Sequence, residues 1–195
     1  MNQAQLWRLE QYAKQSIDVN ESLGVWQGNE KGLTPTLESM LENDIDMDLA
    51  FNEQLQAADL DKIAPYAIHE ASSISIAFRT APTLPQNMVL WRAAPRNVNI
   101  PRPDTTVWMS TSATIQGAEN WAKANLTNGK CNIFKLIVKS DNIKALAVGG
   151  IANENIENDL DEEEEILTYY DFAVRFVNNE PPTLRGNPIK VFDMV

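Results

Sequence analysis

The sequence has very few of the residues that build metal and thiol sites. It contains one cysteine, Cys131, and one histidine, His69. A single cysteine excludes an intrachain disulfide and a cysteine zinc cage. A single histidine argues against a His-rich metal site and a conventional Cys-His pair. We therefore expect no metal, and we interpret His69 as a structural or surface residue and Cys131 as a small core residue.

Positive charge is also scarce. The 16 Lys and Arg residues face 27 Asp and Glu residues, which gives a formal net charge of −11. A general nucleic-acid binder needs a basic surface that displaces counterions, so this balance argues against one. It argues equally against a basic helix that lies on a membrane surface.

Long apolar runs are absent as well. No stretch approaches the roughly 18 consecutive apolar residues of a membrane-spanning helix. The first residues, MNQAQLWRLEQYAKQ, are polar and lack the apolar core of a Sec signal. We expect no membrane partner and a cytoplasmic location.

Helical periodicity covers the first part of the chain, to about residue 80. It predicts a first helix at 3–16 and a second that begins at Thr34, with Pro35 at the first helical position. A third helix would start at Asp44 or Asp46 and include Leu55, and a fourth would cover 59–78. Residues 17–33 contain three of the eight glycines and are predicted as a loop. These helices would form an N-terminal helical lobe, residues 1–80.

The period shortens towards two after Pro82. It predicts a helix at 115–126 and strands at 89–91, 105–109, 131–138, 145–148, 165–168, 172–177 and 190–194. Because strands and helices do not alternate, a doubly wound parallel sheet is not expected. A chain of 195 residues fits a single domain, 1–195, of α+β class, with a β core over 85–195.

Two short segments have side chains suited to binding phosphates or sugars. Arg92 ends an apolar strand and precedes Ala93 and Ala94, so it can offer a fork of donors where the backbone approaches a ligand closely. The alternative interpretation is that Arg92 is a surface arginine at the end of a strand and binds no ligand. Ser110-Thr111-Ser112 places three hydroxyl groups just before a predicted helix. The alternative interpretation is that one of them caps the N-terminus of that helix, which contributes about 1 kcal/mol to stability.

The third segment is acidic. Eight Asp and Glu residues lie between 153 and 165, and the run leads into an apolar strand. On a strand, Glu163 and Glu165 share a face and Glu164 points the other way. Two carboxylates on one face repel each other unless a cation or a sugar hydroxyl lies between them. The alternative is a solvated charged loop.

In this order, Arg92, Ser110-Thr111-Ser112 and Glu163-x-Glu165 resemble the Arg-Ser-Glu class of mono-ADP-ribosyltransferases. The resemblance covers about residues 85–195 and extends to the small enzymes of T-even-like bacteriophages and to the catalytic domains of bacterial toxins. It implies a mixed, mainly antiparallel β core that binds NAD as a co-substrate without a metal. The implied reaction releases nicotinamide and transfers ADP-ribose to a target.

The resemblance also implies roles for individual residues. Glu165 would stabilise the positive charge that develops on the ribose, and Ser110 would hydrogen-bond Glu165. Arg92 would hold the pyrophosphate or ribose of NAD, and the backbone of Ala93 the nicotinamide amide. Supporting roles would fall to residues of the same motifs: Thr111 and Ser112 at the strand end, and Glu163 beside the acceptor.

The acceptor implied by Glu-x-Glu is an arginine of a protein, and a nucleic-acid acceptor stays open. The protein would act as a monomer in a cytoplasm, which would be that of a host cell if the protein is encoded by a phage or injected. The sequence departs from the family at Ala93, where the family often has glycine. Trp91 and Trp121 are interpreted as packing residues, so no aromatic residue is assigned to contact nicotinamide. Two alternative functions remain: an NAD-binding module without transfer, and a module whose acidic run binds a basic partner.

Overall fold

A computed structural model describes residues 1–28, 74, 76–101, 108–148 and 164–195. The helices predicted from Thr34 and from Asp44 or Asp46 lie outside these residues, as do His69 and Glu163. The helix predicted at 59–78 is described only near its end, where residue 74 and residues 76–79 are helical. Within the described residues, no helix has both the length and the apolar character needed to cross a membrane.

Helix α1, Gln3–Lys14, confirms the first predicted helix. A capping box starts it: Gln5 N donates to Asn2 Oδ1 at 2.9 Å, and Asn2 N donates to Gln5 Oε1 at 2.8 Å. These two bonds satisfy backbone N–H groups at the helix start, which have no partner within the helix.

Helix α2, Ile17–Gly28, shows that the loop prediction for this region is wrong over 17–28. Its glycines suggested a loop, since glycine costs about 1 kcal/mol relative to alanine inside a helix. Two features oppose that cost. Ser16 Oγ accepts a hydrogen bond from Val19 N at 3.3 Å, and the side chain of Leu23 is fully buried.

Seven strands form one sheet, in the order β4-β5-β2-β1-β3-β7-β6. Neighbours are antiparallel except β3 and β7, which are parallel. This confirms the α+β class with a mixed, mainly antiparallel core. The strands are β1 Val89–Pro95, β2 Trp108–Ser112, β3 Cys131–Val138, β4 Ala145–Ala147, β5 Glu165–Tyr169, β6 Val174–Glu180 and β7 Ile189–Met194.

The core lies on both faces of the central strands. On one face, Ala4 and Trp7 of α1 join a cluster that includes Leu90 and Phe134. On the other face, helix α3, Ile115–Asn125, packs against residues of β1, β3 and β7. Together they form a second cluster, which comprises Ala93, Ala118, Ala122, Cys131, Ile133 and Ile189. Alternate residues of β1, β3 and β7 therefore belong to the α1-side and the α3-side cluster, and Cys131 is confirmed as a core residue.

Candidate active site

An open cleft of about 350 Å³ lies between the sheet and the first turns of α3. Strands β1, β2 and β5 each contribute side chains to it. The lining residues are Trp91, Arg92, Ala93, Ser110, Thr111, Ser112, Gly117, Ala118, Trp121 and Glu165. All the site residues predicted from the sequence lie in this cleft, apart from Glu163, which is outside the described residues.

Arg92 lies in the middle of β1 and is half-buried. Its Nη1 donates to the backbone oxygen of Ser110 at 2.5 Å. The two strands are antiparallel, with Trp91 opposite Ser112. Arg92 is therefore not a surface arginine at a strand end: its guanidinium is held against the neighbouring strand, in the wall of the cleft.

The three hydroxyl residues of β2 lie within the strand and do not cap the helix that follows. Thr114 is the N-cap of α3, because its Oγ1 accepts from Gly117 N at 3.0 Å. The N-cap alternative for Ser110-Thr111-Ser112 is therefore wrong. Thr111 Oγ1 donates to Ile166 O at 2.7 Å, which ties β2 to β5. This bond joins the backbone of β5 to a side chain of β2, and the supporting role of Thr111 stays a prediction.

Glu165 is the first residue of β5 and is only 2% exposed. Across the antiparallel pair it lies opposite Ser112, and Ser110 lies opposite Leu167. Directly opposed side chains are the closest, and diagonal neighbours remain within reach of a long side chain such as glutamate. The register therefore makes Ser112, as well as the predicted Ser110, a candidate partner of the Glu165 carboxylate.

Glu164 has a left-handed backbone, with φ of 48°. Its carboxylate accepts hydrogen bonds from Gln5 of α1 and from Thr114 at the start of α3. Glu164 lies just before β5 and is not among the residues that line the cleft, whereas Glu165 is. The strand prediction for this motif therefore does not extend to Glu164, because a left-handed residue is not part of an extended strand.

Sequence reasoning missed two aromatic residues of the site. Trp91 and Trp121 pack against the α3-side cluster, as predicted, but both also line the cleft. The Nζ of Lys135 lies 5.7 Å from the centroid of the Trp91 ring and 2.7 Å from Glu180 Oε1. The signal was present in α3, where Ala118 and Trp121 are three residues apart and so share a helix face.

Arg96 and Cys131 are not among the residues that line the cleft. Arg96 Nη2 donates to Gly186 O at 3.3 Å. Burial, followed by the nearby Glu119 carboxylate, raises the pKa of Cys131 to about 11, so this thiol is neutral and a poor nucleophile. The described part of the chain contains no group of three His, Cys, Asp or Glu residues placed to hold a metal.

Comparison with known proteins gives different results for sequence and structure. No protein-family model matches the sequence, and no curated protein matches it. Solved structures do match. An ADP-ribosyltransferase from Clostridium botulinum aligns with a TM-score of 0.55 at 12% identity, over 100% of this chain and 95% of that chain.

Two further matches agree. The Vis toxin, an ADP-ribosyltransferase from Vibrio splendidus, aligns with a TM-score of 0.53 at 12% identity, over 98% of this chain and 81% of that chain. A protein from S. aureus, solved with NAD, aligns with a TM-score of 0.52 at 12% identity, over 99% of this chain and 94% of that chain. The chain therefore has the fold of the bacterial ADP-ribosyltransferase toxins, as its resemblance implied.

Proposed function

We propose that the protein is an NAD-dependent mono-ADP-ribosyltransferase. It cleaves the bond between nicotinamide and ribose, releases nicotinamide and transfers ADP-ribose to an arginine of a target protein. One observation carries the proposal: Arg92, the hydroxyl residues of β2 and Glu165, which come from three different strands, line one cleft. That cleft lies in a fold shared with ADP-ribosyltransferase toxins.

Glu165 is the residue to which we assign stabilisation of the transition state. Loss of nicotinamide leaves positive charge on the ribose, as in the oxocarbenium-like transition states of glycosidases. At 2% exposure, the Glu165 carboxylate is shielded from water, so it interacts more strongly with this charge than an exposed carboxylate would. Removing a preorganised group of this kind lowers turnover by about 10²–10³-fold.

Arg92 is assigned to the pyrophosphate or the ribose of NAD. The bond to Ser110 O orients the planar guanidinium, and a fixed plane favours two-point recognition of phosphate oxygens. Ala93 is next along β1, so its backbone lies at the same wall of the cleft and is assigned to the nicotinamide amide.

The remaining walls suit a flat aromatic ligand. Trp91 and Trp121 offer ring surfaces, and Gly117 and Ala118 are small enough to leave space beside them. Ser110 and Ser112 share a strand face and are assigned to hold the Glu165 carboxylate.

Glu163, two residues before Glu165, is assigned to the acceptor. Its carboxylate would align the arginine guanidinium and take up the proton released when the new N-glycosidic bond forms. The acidic residues before it would attract a cationic target. We place this reaction in the cytoplasm of a host cell, where the protein acts as a toxin-like effector, by analogy with phage and bacterial enzymes.

The test is incubation of the wild-type protein with NAD labelled in its adenosine half, a cell lysate and, in parallel, agmatine. The proposal expects nicotinamide release together with label on a macromolecule and on agmatine. Mass spectrometry then identifies the modified side chain. NAD binding without release or transfer would instead favour a binding module, and no interaction with NAD would favour the acidic interaction module.

A further inference from the structure

Glu164, the neighbour of Glu165, has an unusual backbone and an unusually complete set of side-chain contacts. Its φ of 48° lies in the left-handed region, where the close approach of Cβ to the backbone raises the conformational energy of an L-residue. Within the proposed transferase reaction, on which this inference rests, we propose that Glu164 is a positioning residue. Its side chain fixes the turn that directs Glu165 into the cleft.

The carboxylate of Glu164 receives a donor at each oxygen. Gln5 Nε2 donates to Oε1 at 2.6 Å, and Thr114 Oγ1 donates to Oε2. The two donors come from the first turn of α1 and the N-cap of α3, where a negative charge is stabilised by the helix dipole. Glu164 thus joins two helices that pack on opposite faces of the sheet.

The backbone around this carboxylate is held as well. Ala113 N donates to Glu164 O at 2.9 Å, and Asn2 Nδ2 donates to the oxygen of the same alanine at 2.9 Å. Arg8 is 6% exposed, and its Nε lies 3.2 Å from Glu165 O and 2.7 Å from Val148 O. Bonds from α1 therefore hold the chain on both sides of the peptide that joins Glu164 to Glu165.

This arrangement has a direct consequence for catalysis. A catalytic group must be held within about 0.5 Å of its productive position, and a misplacement of about 1 Å can lower the rate about 100-fold. Releasing Glu164 would let the first residue of β5 move, whereas the β1 wall with Arg92 would stay in place. The expected defect is therefore in kcat rather than in KM for NAD.

The test compares two substitutions of Glu164. Asparagine tolerates a left-handed backbone but is too short to contact both donors, so Glu164→Asn keeps the backbone and removes the bridge. We expect kcat for nicotinamide release to fall about 10–100-fold, with KM for NAD within about 2-fold of wild type. Glu164→Gln keeps the side-chain length and one acceptor, so it should recover part of the lost kcat. Glu10→Asn, on the exposed face of α1, is the matched control and should behave as wild type.

A second set of variants tests whether Gln5 and Glu164 act together. Gln5→Ala should lower kcat in the same way, to a smaller extent. Gln5→Ala also removes the capping-box bond from Asn2 N, so its own effect on stability is measured by thermal melts. The losses of kcat in the double variant Gln5→Ala/Glu164→Asn should be less than additive, because Glu164→Asn has already broken the bond between Gln5 and Glu164. Additive losses would overturn the proposal, and so would a kcat within about 2-fold of wild type in Glu164→Asn. If Glu164→Asn does not fold, Gln5→Ala carries the test.

A readout without catalysis separates this inference from the proposed function. Hydrogen exchange at Ala113 N, which is bonded to Glu164 O, should be faster in Glu164→Asn and in Gln5→Ala than in wild type. Unchanged exchange would overturn the positioning role. Wild-type protein that releases no nicotinamide would overturn the proposed function, and faster exchange in the variants would then still support Glu164 as the residue that holds the turn.

Discussion

Arg92 Nη1 donates a 2.5 Å hydrogen bond to the backbone oxygen of Ser110. The bond crosses from β1 to β2, at the point where Trp91 lies opposite Ser112. Because the acceptor is a backbone oxygen, a change of side chain at position 110 would leave this hydrogen bond intact. A substitution of Arg92 would remove the donor and break the bond.

Arg92→Lys should weaken NAD binding by at least about 10-fold. Lysine keeps the positive charge but loses the planar fork, so it cannot combine a bond to Ser110 O with two-point recognition of phosphate. Isothermal titration with NAD measures the effect. Arg175→Lys, on the edge strand β6, is the matched control and should bind as wild type. An unchanged dissociation constant in Arg92→Lys would leave Arg92 with a structural role only.

Glu165→Gln should lower both NAD hydrolysis and ADP-ribose transfer by about 10²–10³-fold. Glutamine has nearly the same shape, so the buried position is neither emptied nor overfilled, and the melting temperature should stay near that of wild type. Rates of nicotinamide release and thermal melts give the two readouts. Glu10→Gln is the control for the change from glutamate to glutamine, and wild-type turnover in Glu165→Gln would remove the catalytic assignment.

Much of the fold was predictable from the sequence because alternation in the second half is strong. Strand β3 matches its predicted bounds, Cys131–Val138, and α3 differs from its predicted end by one residue. Helix α2 was missed because the glycines of 17–33 outweighed a weak apolar pattern. Its cap at Ser16 and its buried Leu23 were the better signals.

The site was predictable only in part. Short motifs singled out Arg92, Ser110 and Glu165 because their order along the chain resembles that of a known family, and all three line the cleft. The contacts of α1 with the Glu164-Glu165 turn were not predictable. Gln5 and Glu164 are 159 positions apart, and helical periodicity reports which face is buried without saying which distant residue a polar side chain meets. Similarly, the sequence placed Trp121 on a buried face but did not show that the face borders a cleft.

NAD binding should quench the intrinsic fluorescence of the protein, since two tryptophans line the cleft. Trp121→Phe should reduce the quench and raise KM for NAD by no more than about 3-fold, because phenylalanine keeps a ring against the ligand. Trp121→Ala should raise KM further. Trp7→Phe is the control, as Trp7 packs in the α1-side cluster. A quench of wild-type size in both Trp121 variants would contradict a role for this ring in the cleft.

Cys131 should be inert in the folded protein. Ellman's reagent should not label it at pH 8, where the buried thiol is neutral, and should label it fully in urea. The ordinary pKa of 9.0 is raised to about 11 by folding, so unfolded chains ionise first as pH rises. The stability contributed by the neutral thiol is complete below about pH 9 and lost by about pH 11. Melting temperature should therefore fall more steeply over this interval in wild type than in Cys131→Ala. Rapid labelling of native protein at pH 8 would contradict the burial.

Glu163→Gln should separate the two halves of the proposed reaction. Arginine has a high pKa and enters as a cation, so its alignment and deprotonation need a carboxylate beside the ribose. Water needs neither, and the slow hydrolysis of NAD should keep much of its wild-type rate when Glu163 is neutralised. Transfer to agmatine should fall to background. Nicotinamide release and agmatine labelling, measured on the same samples, give the two rates.

Glu165→Gln is the comparison that makes this result interpretable, because it should lose both activities. Equal loss of both in Glu163→Gln would mean that Glu163 serves cleavage of NAD. Full transfer in Glu163→Gln would mean that the acceptor is not arginine. The acidic residues before Glu163 attract a highly charged target from a distance, and salt screens that attraction. Added salt should therefore slow transfer to a cationic protein more than transfer to agmatine. Equal salt dependence for the two acceptors would leave the acidic run without a part in recognising the target.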